Sequence, residues 1–172
     1  MNLFNGKLLL GLLLLLASCD DGLNSGGANG GGNNSGFTEW SIPNEEVFDG
    51  GPGKDGIPAL ENPTMISAAE ATYLSDDNLI IGVKIGSDVR AYPHSILDWH
   101  EIINDKVGTS EIAAIYCPLT GTATVWGRTF NGSVTTFGVS GLLYNTNVIP
   151  YDRLTNSNWS QMRLDCVNGS LS

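Results

Sequence analysis

From residue 79 to residue 151 the apolar positions fall into short runs closed by glycine, proline or asparagine, and that punctuation predicts strands. Leu79-Ile80-Ile81-Gly82-Val83-Lys84-Ile85 and Asp88-Val89-Arg90-Ala91-Tyr92 flank Gly86-Ser87, a two-residue hairpin signal, and Pro93 closes the second strand. Residues 111–117 are apolar on both faces, as in a buried central strand, and Pro118 ends the run. Thr120-Gly121 then turns the chain into a returning strand over 122–126. Residues 134–139 and 142–151 continue the pattern, with Asn131-Gly132 as a second hairpin turn. Two stretches read as short helices. Ser67 and Glu70 make a capping box at the head of 67–74, and Ser95 with Asp98 caps a two-turn helix over 96–103 that carries Trp99 and His100. The expected fold class is therefore α+β: a β-rich, mostly antiparallel domain with two short helices, preceded by a signal peptide and a flexible linker. Sheet order is left open by the pattern.

The N-terminal pattern is different. Lys7 precedes an apolar run over 8–16, too short to cross about 30 Å of hydrocarbon but suited to a signal-peptide core. It ends at Leu16-Ala17-Ser18-Cys19, which resembles the bacterial lipobox, where a peptidase cuts before a cysteine that carries diacylglycerol. Residues 1–18 are thus expected to be a lipoprotein signal peptide and Cys19 a lipidated residue, acylated by palmitate-like chains that hold it on a membrane. The Gly/Asn/Ser-rich stretch over 19–36 reads as a tether, 37–162 as the globular domain, and 163–172 as an atypical tail. These features imply a bacterial cell-envelope protein, lipid-anchored and extracytoplasmic.

Charge narrows the partners. With 18 acidic and 8 basic residues the chain carries a formal charge of -10 and has no Lys/Arg cluster to follow a phosphate backbone, so nucleic acid is not an expected partner. Three cysteines are present; with Cys19 lipidated, Cys117 and Cys166 would be left in an oxidising compartment as the one pair able to form a disulfide. Gly50-Gly51-Pro52-Gly53-Lys54-Asp55-Gly56-Ile57-Pro58 is rich in turn formers and reads as an ordered loop; it lacks the Gly-Lys-Ser/Thr ending and preceding strand of a phosphate loop.

Candidate chemistry lies in Ala91-Tyr92-Pro93-His94 through Trp99-His100-Glu101 and in Tyr116-Cys117-Pro118-Leu119-Thr120-Gly121, which hold both histidines and the mid-domain cysteine. Two His, one Cys and one Met match the imidazole-plus-soft-sulfur set that copper favours, so the leading expectation is a copper site of His94, His100 and Cys117, with Met162 as a fourth candidate. Six positions along one helix are about 240° apart, so the histidines converge only if His94 precedes the helix, where Pro93 and Ser95 place it. Two other classes stay open. One is a non-catalytic module whose cleft of Trp99, Tyr144, Arg153, Trp159 and Gln161 holds a small molecule or a protein; the other is an enzyme with Cys117 as nucleophile, paired to a histidine. Whether this chain is an enzyme is left undecided by its sequence.

The ordered runs Asp55-Gly56-Ile57-Pro58-Ala59-Leu60, Ala91-Tyr92-Pro93-His94, Tyr116-Cys117-Pro118-Leu119-Thr120-Gly121, Phe137-Gly138-Val139-Ser140-Gly141-Leu142-Leu143-Tyr144-Asn145, Tyr151-Asp152-Arg153 and Trp159-Ser160-Gln161 together resemble the bacterial domain of unknown function 3179 family. The resemblance implies an exported protein, often a lipoprotein, and implies no particular chemistry. Relatives continue past the Trp-Ser-Gln run into further strands; the different ending over 163–172 leads to the expectation that the domain is incomplete and Cys166 incidental.

Overall fold

The computed structural model describes residues 39–172. The expected signal peptide, the lipidated Cys19 and the whole of the tether lie outside these residues. The elements in chain order are β1 Val47–Asp49, β2 Leu60–Glu61, β3 Ile80–Ile85, β4 Asp88–Pro93, helix α1 His94–His100, β5 Ile102–Val107, β6 Ser110–Cys117, β7 Thr122–Gly127, β8 Thr129–Phe130, β9 Ser133–Val134, β10 Phe137–Tyr144, β11 Asn147–Asp152, β12 Asn158–Ser160 and β13 Asp165–Asn168, with a 3-10 turn at Asn44–Glu46. Two sheets dominate, one in the order β2-β5-β6-β7 and one in the order β1-β10-β11-β12-β13. All pairings are antiparallel except β2 with β5.

The four-stranded sheet is the middle layer, because β6 buries both faces as its unbroken apolar run requires. On one side Ile112, Ala114 and Tyr116 meet the β3–β4 hairpin and Leu97 of α1. On the other, Ala113, Ile115 and Cys117 meet Phe137, Val139 and Val148 of the five-stranded sheet. Each buried aliphatic side chain of this size contributes about 1.5–3 kcal/mol. The far face of the five-stranded sheet packs Ile149 and Val167 on Ile42, and the Ser41 N–H donates to the Val167 carbonyl at 2.8 Å.

The hairpins form where the turn residues demand them. Ile85 faces Asp88 across Gly86-Ser87, and the turn between β8 and β9 puts Asn131 and Gly132 both at positive φ, 48° and 79°, as a type I′ turn needs. A third hairpin was not anticipated: Asn145 and Thr146, at φ 49° and 65°, join β10 to β11, whereas Ser140-Gly141 is a bulge inside β10. Gly141 has φ 82°, and a Cβ there would lie 2.7 Å from the backbone of Gly53, so the loop over 50–58 closes directly onto the bulge.

Two expectations are corrected. Ser67 donates to Glu70 from both its N–H and its hydroxyl, at 2.8 and 2.7 Å, which lowers the Glu70 pKa, yet 67–74 forms turns and no helix. Residues 64–70 are exposed, and a short helix without a face to bury is not stable alone. The other helix runs from His94 rather than from residue 96 and stops before Ile102, which already belongs to β5. Pro93 is its N-cap and the His94 N–H bonds the Leu79 carbonyl at 3.0 Å, so the helix turns straight out of the hairpin. The last ten residues include β13, in which Asp165 and Cys166 pair with Ser160 and Trp159 and Val167 is fully buried. Cys117 and Cys166 are both buried free thiols, and burial is the main cause pushing the Cys166 thiol up.

Where the two large sheets meet they share no strand pairing, so buried side chains supply the hydrogen bonds. The Asn104 amide donates to the Phe137 carbonyl at 2.8 Å and accepts the Phe137 N–H at 2.7 Å, taking the place of a backbone partner. Asn104→Leu keeps the volume and orphans both groups; the expected cost is about 2–4 kcal/mol. A urea titration should show a lowered midpoint with an unchanged slope.

Candidate functional site

Helix α1 holds His94 and His100 at its two ends, so the helix itself separates them by about 240° around its axis. The His94 ring lies 4.3 Å from the Tyr116 ring, on the hairpin side of the middle sheet. His100 Nδ1 is 2.8 Å from the Pro58 carbonyl oxygen. Cys117 follows Tyr116 in β6 and therefore points to the opposite face, where it is 0 % exposed and its Sγ lies 3.7 Å from the Thr146 carbonyl. Met162 sits in the turn before β13 and is 61 % exposed. Among the described residues no three His, Cys, Asp or Glu side chains form a ligand group. The same parity argument separates Cys117 from the histidine at position 94 that would serve it as a base.

The five expected cleft residues also disperse. Trp99 stands on α1 with 77 % of its surface exposed. Tyr144 pairs with Val47 and packs on the outer cluster. Arg153 is held at 2.9 Å by both Asp55 and Glu61, and Tyr151 completes this strap over the five-stranded sheet by donating to Asp55. Gln161 is a fully buried cross-link: its Nε2 donates to the carbonyls of Ile115 and Thr122, and its Oε1 accepts from Thr122 Oγ1 and Asn147 Nδ2 at 2.8 and 2.7 Å. Trp159 lines one cavity and Arg153 a separate, shallower one.

The Trp159 cavity is a groove of about 420 Å³ along β7, walled by Thr124, Trp126, Phe130, Phe137, Trp159 and Leu164. Phe130 stacks on Trp159 with ring centroids 5.2 Å apart and planes 19° from parallel, while Phe137 meets Trp126 edge-on at 5.3 Å. Trp159 Nε1 donates to Asp152 Oδ2 at 3.0 Å, which fixes the indole. Trp126 Nε1 and Thr124 Oγ1 are buried and have no hydrogen-bond partner, an arrangement that costs stability unless something supplies one. The sequence contained the signal: in Thr122-Ala123-Thr124-Val125-Trp126-Gly127 the two threonines share Trp126's face of the strand, and a polar pair there would ordinarily face solvent. Phe130 and Phe137 could not be added from sequence, because they come from separate strands.

Another cavity, of about 270 Å³, lies beside α1, with Asp98 and Glu101 among mostly apolar walls that include Leu119, Leu142 and Ile149. Glu101 ends the helix at φ 56°, and burial raises its pKa.

The structure defines a β-rich domain of two main, mostly antiparallel sheets with an aromatic groove at one strand edge. The chain belongs to the protein of unknown function family DUF3179, whose model matches residues 54–172, including the tail through β13. No curated protein and no solved structure matches it.

Because burial raises Glu101's pKa in the folded state, the fold keeps its proton over a range in which the unfolded chain has lost it. The associated stability is full below the unfolded glutamate pKa, about 4.3, and is lost as pH rises through the folded value. Urea unfolding across that range should show Glu101→Gln gaining on the wild type with rising pH; parallel profiles would contradict the assignment.

Proposed function

We propose that this protein is a membrane-tethered, extracytoplasmic binding module, and that its aromatic groove along β7 takes a neutral, largely apolar ligand carrying a hydrogen-bond acceptor. The tether rests on the apolar run over 8–16 and the Leu16-Ala17-Ser18-Cys19 ending. The binding function rests on one observation, a groove walled by four aromatic rings in which the β7 residues Trp126 and Thr124 each carry a buried polar atom without a partner. An indole N–H donates only, so its partner must be an acceptor. No charged side chain lines the groove, so an ion would be desolvated there without compensation. Rings held in place by packing and by Asp152 lose little freedom on binding, which favours affinity. A copper site would draw on His94, His100 and Cys117, and a thiol nucleophile on Cys117 with either histidine; the groove uses none of them.

A neutral propionyl-naphthalene fluorophore, which has an apolar body and one carbonyl acceptor, should brighten on binding the full chain. Trp126→Phe keeps a ring and removes the donor, and should weaken binding about fivefold, the worth of one hydrogen bond near 1 kcal/mol. Phe130→Ala, which removes the stacked ring over Trp159, should weaken it further. Equal titrations for wild type and both variants would sink the reading.

A further inference from the structure

We propose that the groove's natural occupant is an extended polypeptide strand, apolar at alternate positions and flanked by Lys or Arg, which adds to the open edge of β7. The proposal rests on the groove reading above and names its ligand class. β7 ends the order β2-β5-β6-β7 and has no strand on its outer side. Its hydrogen-bond parity follows from two bonds: the Arg128 N–H donates to the Glu111 carbonyl, and the Tyr116 N–H donates to the Glu101 carbonyl. Residues 122, 124 and 126 therefore bond to β6, and the N–H and C=O groups of Ala123, Val125 and Gly127 point outward.

Edges of this kind are normally guarded by charge, proline or shortness. Lys84 guards β3, Asp88 and Arg90 guard β4, Asp165 guards β13, and β1 and β2 have three residues or fewer. Among the described residues β7 is the one edge strand longer than three residues that has neither charge nor proline, and Val125 at its middle is 39 % exposed. A strand laid about 4.8 Å from β7 would place every second side chain on the face shared by Thr124 and Trp126, which is the groove. Main-chain pairing with pockets for alternate side chains is a general mode of peptide recognition. Charge selects against a second copy of this chain, since two bodies of formal charge -10 repel, and selects for basic flanks on the partner.

The test is selection of phage-displayed random dodecapeptides on the full chain, followed by amide exchange and binding with the enriched peptide made synthetically. The expected peptides alternate large apolar with polar residues between basic flanks, and slow exchange at Ala123, Val125 and Gly127 by about tenfold or more. Val125→Pro removes one outward N–H without touching the β6 ladder, and Val125→Lys guards the edge by charge; each should weaken the peptide about tenfold. Enriched peptides that displace the fluorophore but leave the three amides unprotected would overturn strand addition and keep the groove. Absence of enriched alternating peptides while the fluorophore binds does the same. If the fluorophore fails as well, both readings fall. A dimer seen by sedimentation without peptide, and abolished by Val125→Lys, would make the occupant a second copy and overturn the heterologous strand.

Discussion

The fold depends on satisfying buried backbone groups where two sheets abut without pairing. Asn104 does this on β5, offering Phe137 an acceptor and a donor at 2.7 and 2.8 Å. Arg128, only 4 % exposed, does it at the neighbouring corner: its guanidinium donates to the carbonyls of Ile112, Thr135 and Asp105 and to the Glu111 carboxylate. Gln161 closes the opposite end against Ile115, Thr122 and Asn147. Fully satisfied networks of this kind rigidify a core, and a half-satisfied one costs more than an apolar replacement. The groove stands against this background: among the described residues, Trp126 and Thr124 hold the buried side-chain groups without a partner.

Those seam residues also explain the limits of reading the chain as a string. Hairpins at Gly86-Ser87 and Asn131-Gly132 were legible because a two-residue turn is decided by its own φ angles. The buried middle strand was legible because β6 has no polar face to show. The expected helix over 67–74 failed on a nonlocal condition: Ser67 and Glu70 make their bonds, yet no apolar surface lies beneath them. At the candidate site the decisive fact was strand parity. Tyr116 and Cys117 are consecutive residues of one strand, so a histidine that stacks on the first cannot also reach the second. Gln161 looked like a ligand group because its partners are as much as 46 residues away and left no local trace. Val167 gave away nothing of its burial for the same reason.

Trp159 joins the two themes, structural and functional. Its indole N–H is held by Asp152, whose carboxylate also accepts from the backbone and hydroxyl of Thr155. Its strand pairs with β13 through Cys166, and its ring stacks on Phe130 from a hairpin in neither large sheet. Three elements therefore set one wall of the groove.

The bond from Ser41 to the Val167 carbonyl, together with the pairing of Val47 with Tyr144, has a consequence for how the protein is made. The outer core of Ile42, Ile149 and Val167 cannot close until residue 167 is available, so a nascent chain emerging from the ribosome carries β10 and β11 with one apolar face bare. Contacts spanning most of the chain are slow to form because loop closure precedes any gain from them. The outer core is therefore a late-forming part of this fold, closed by the last strand of the chain.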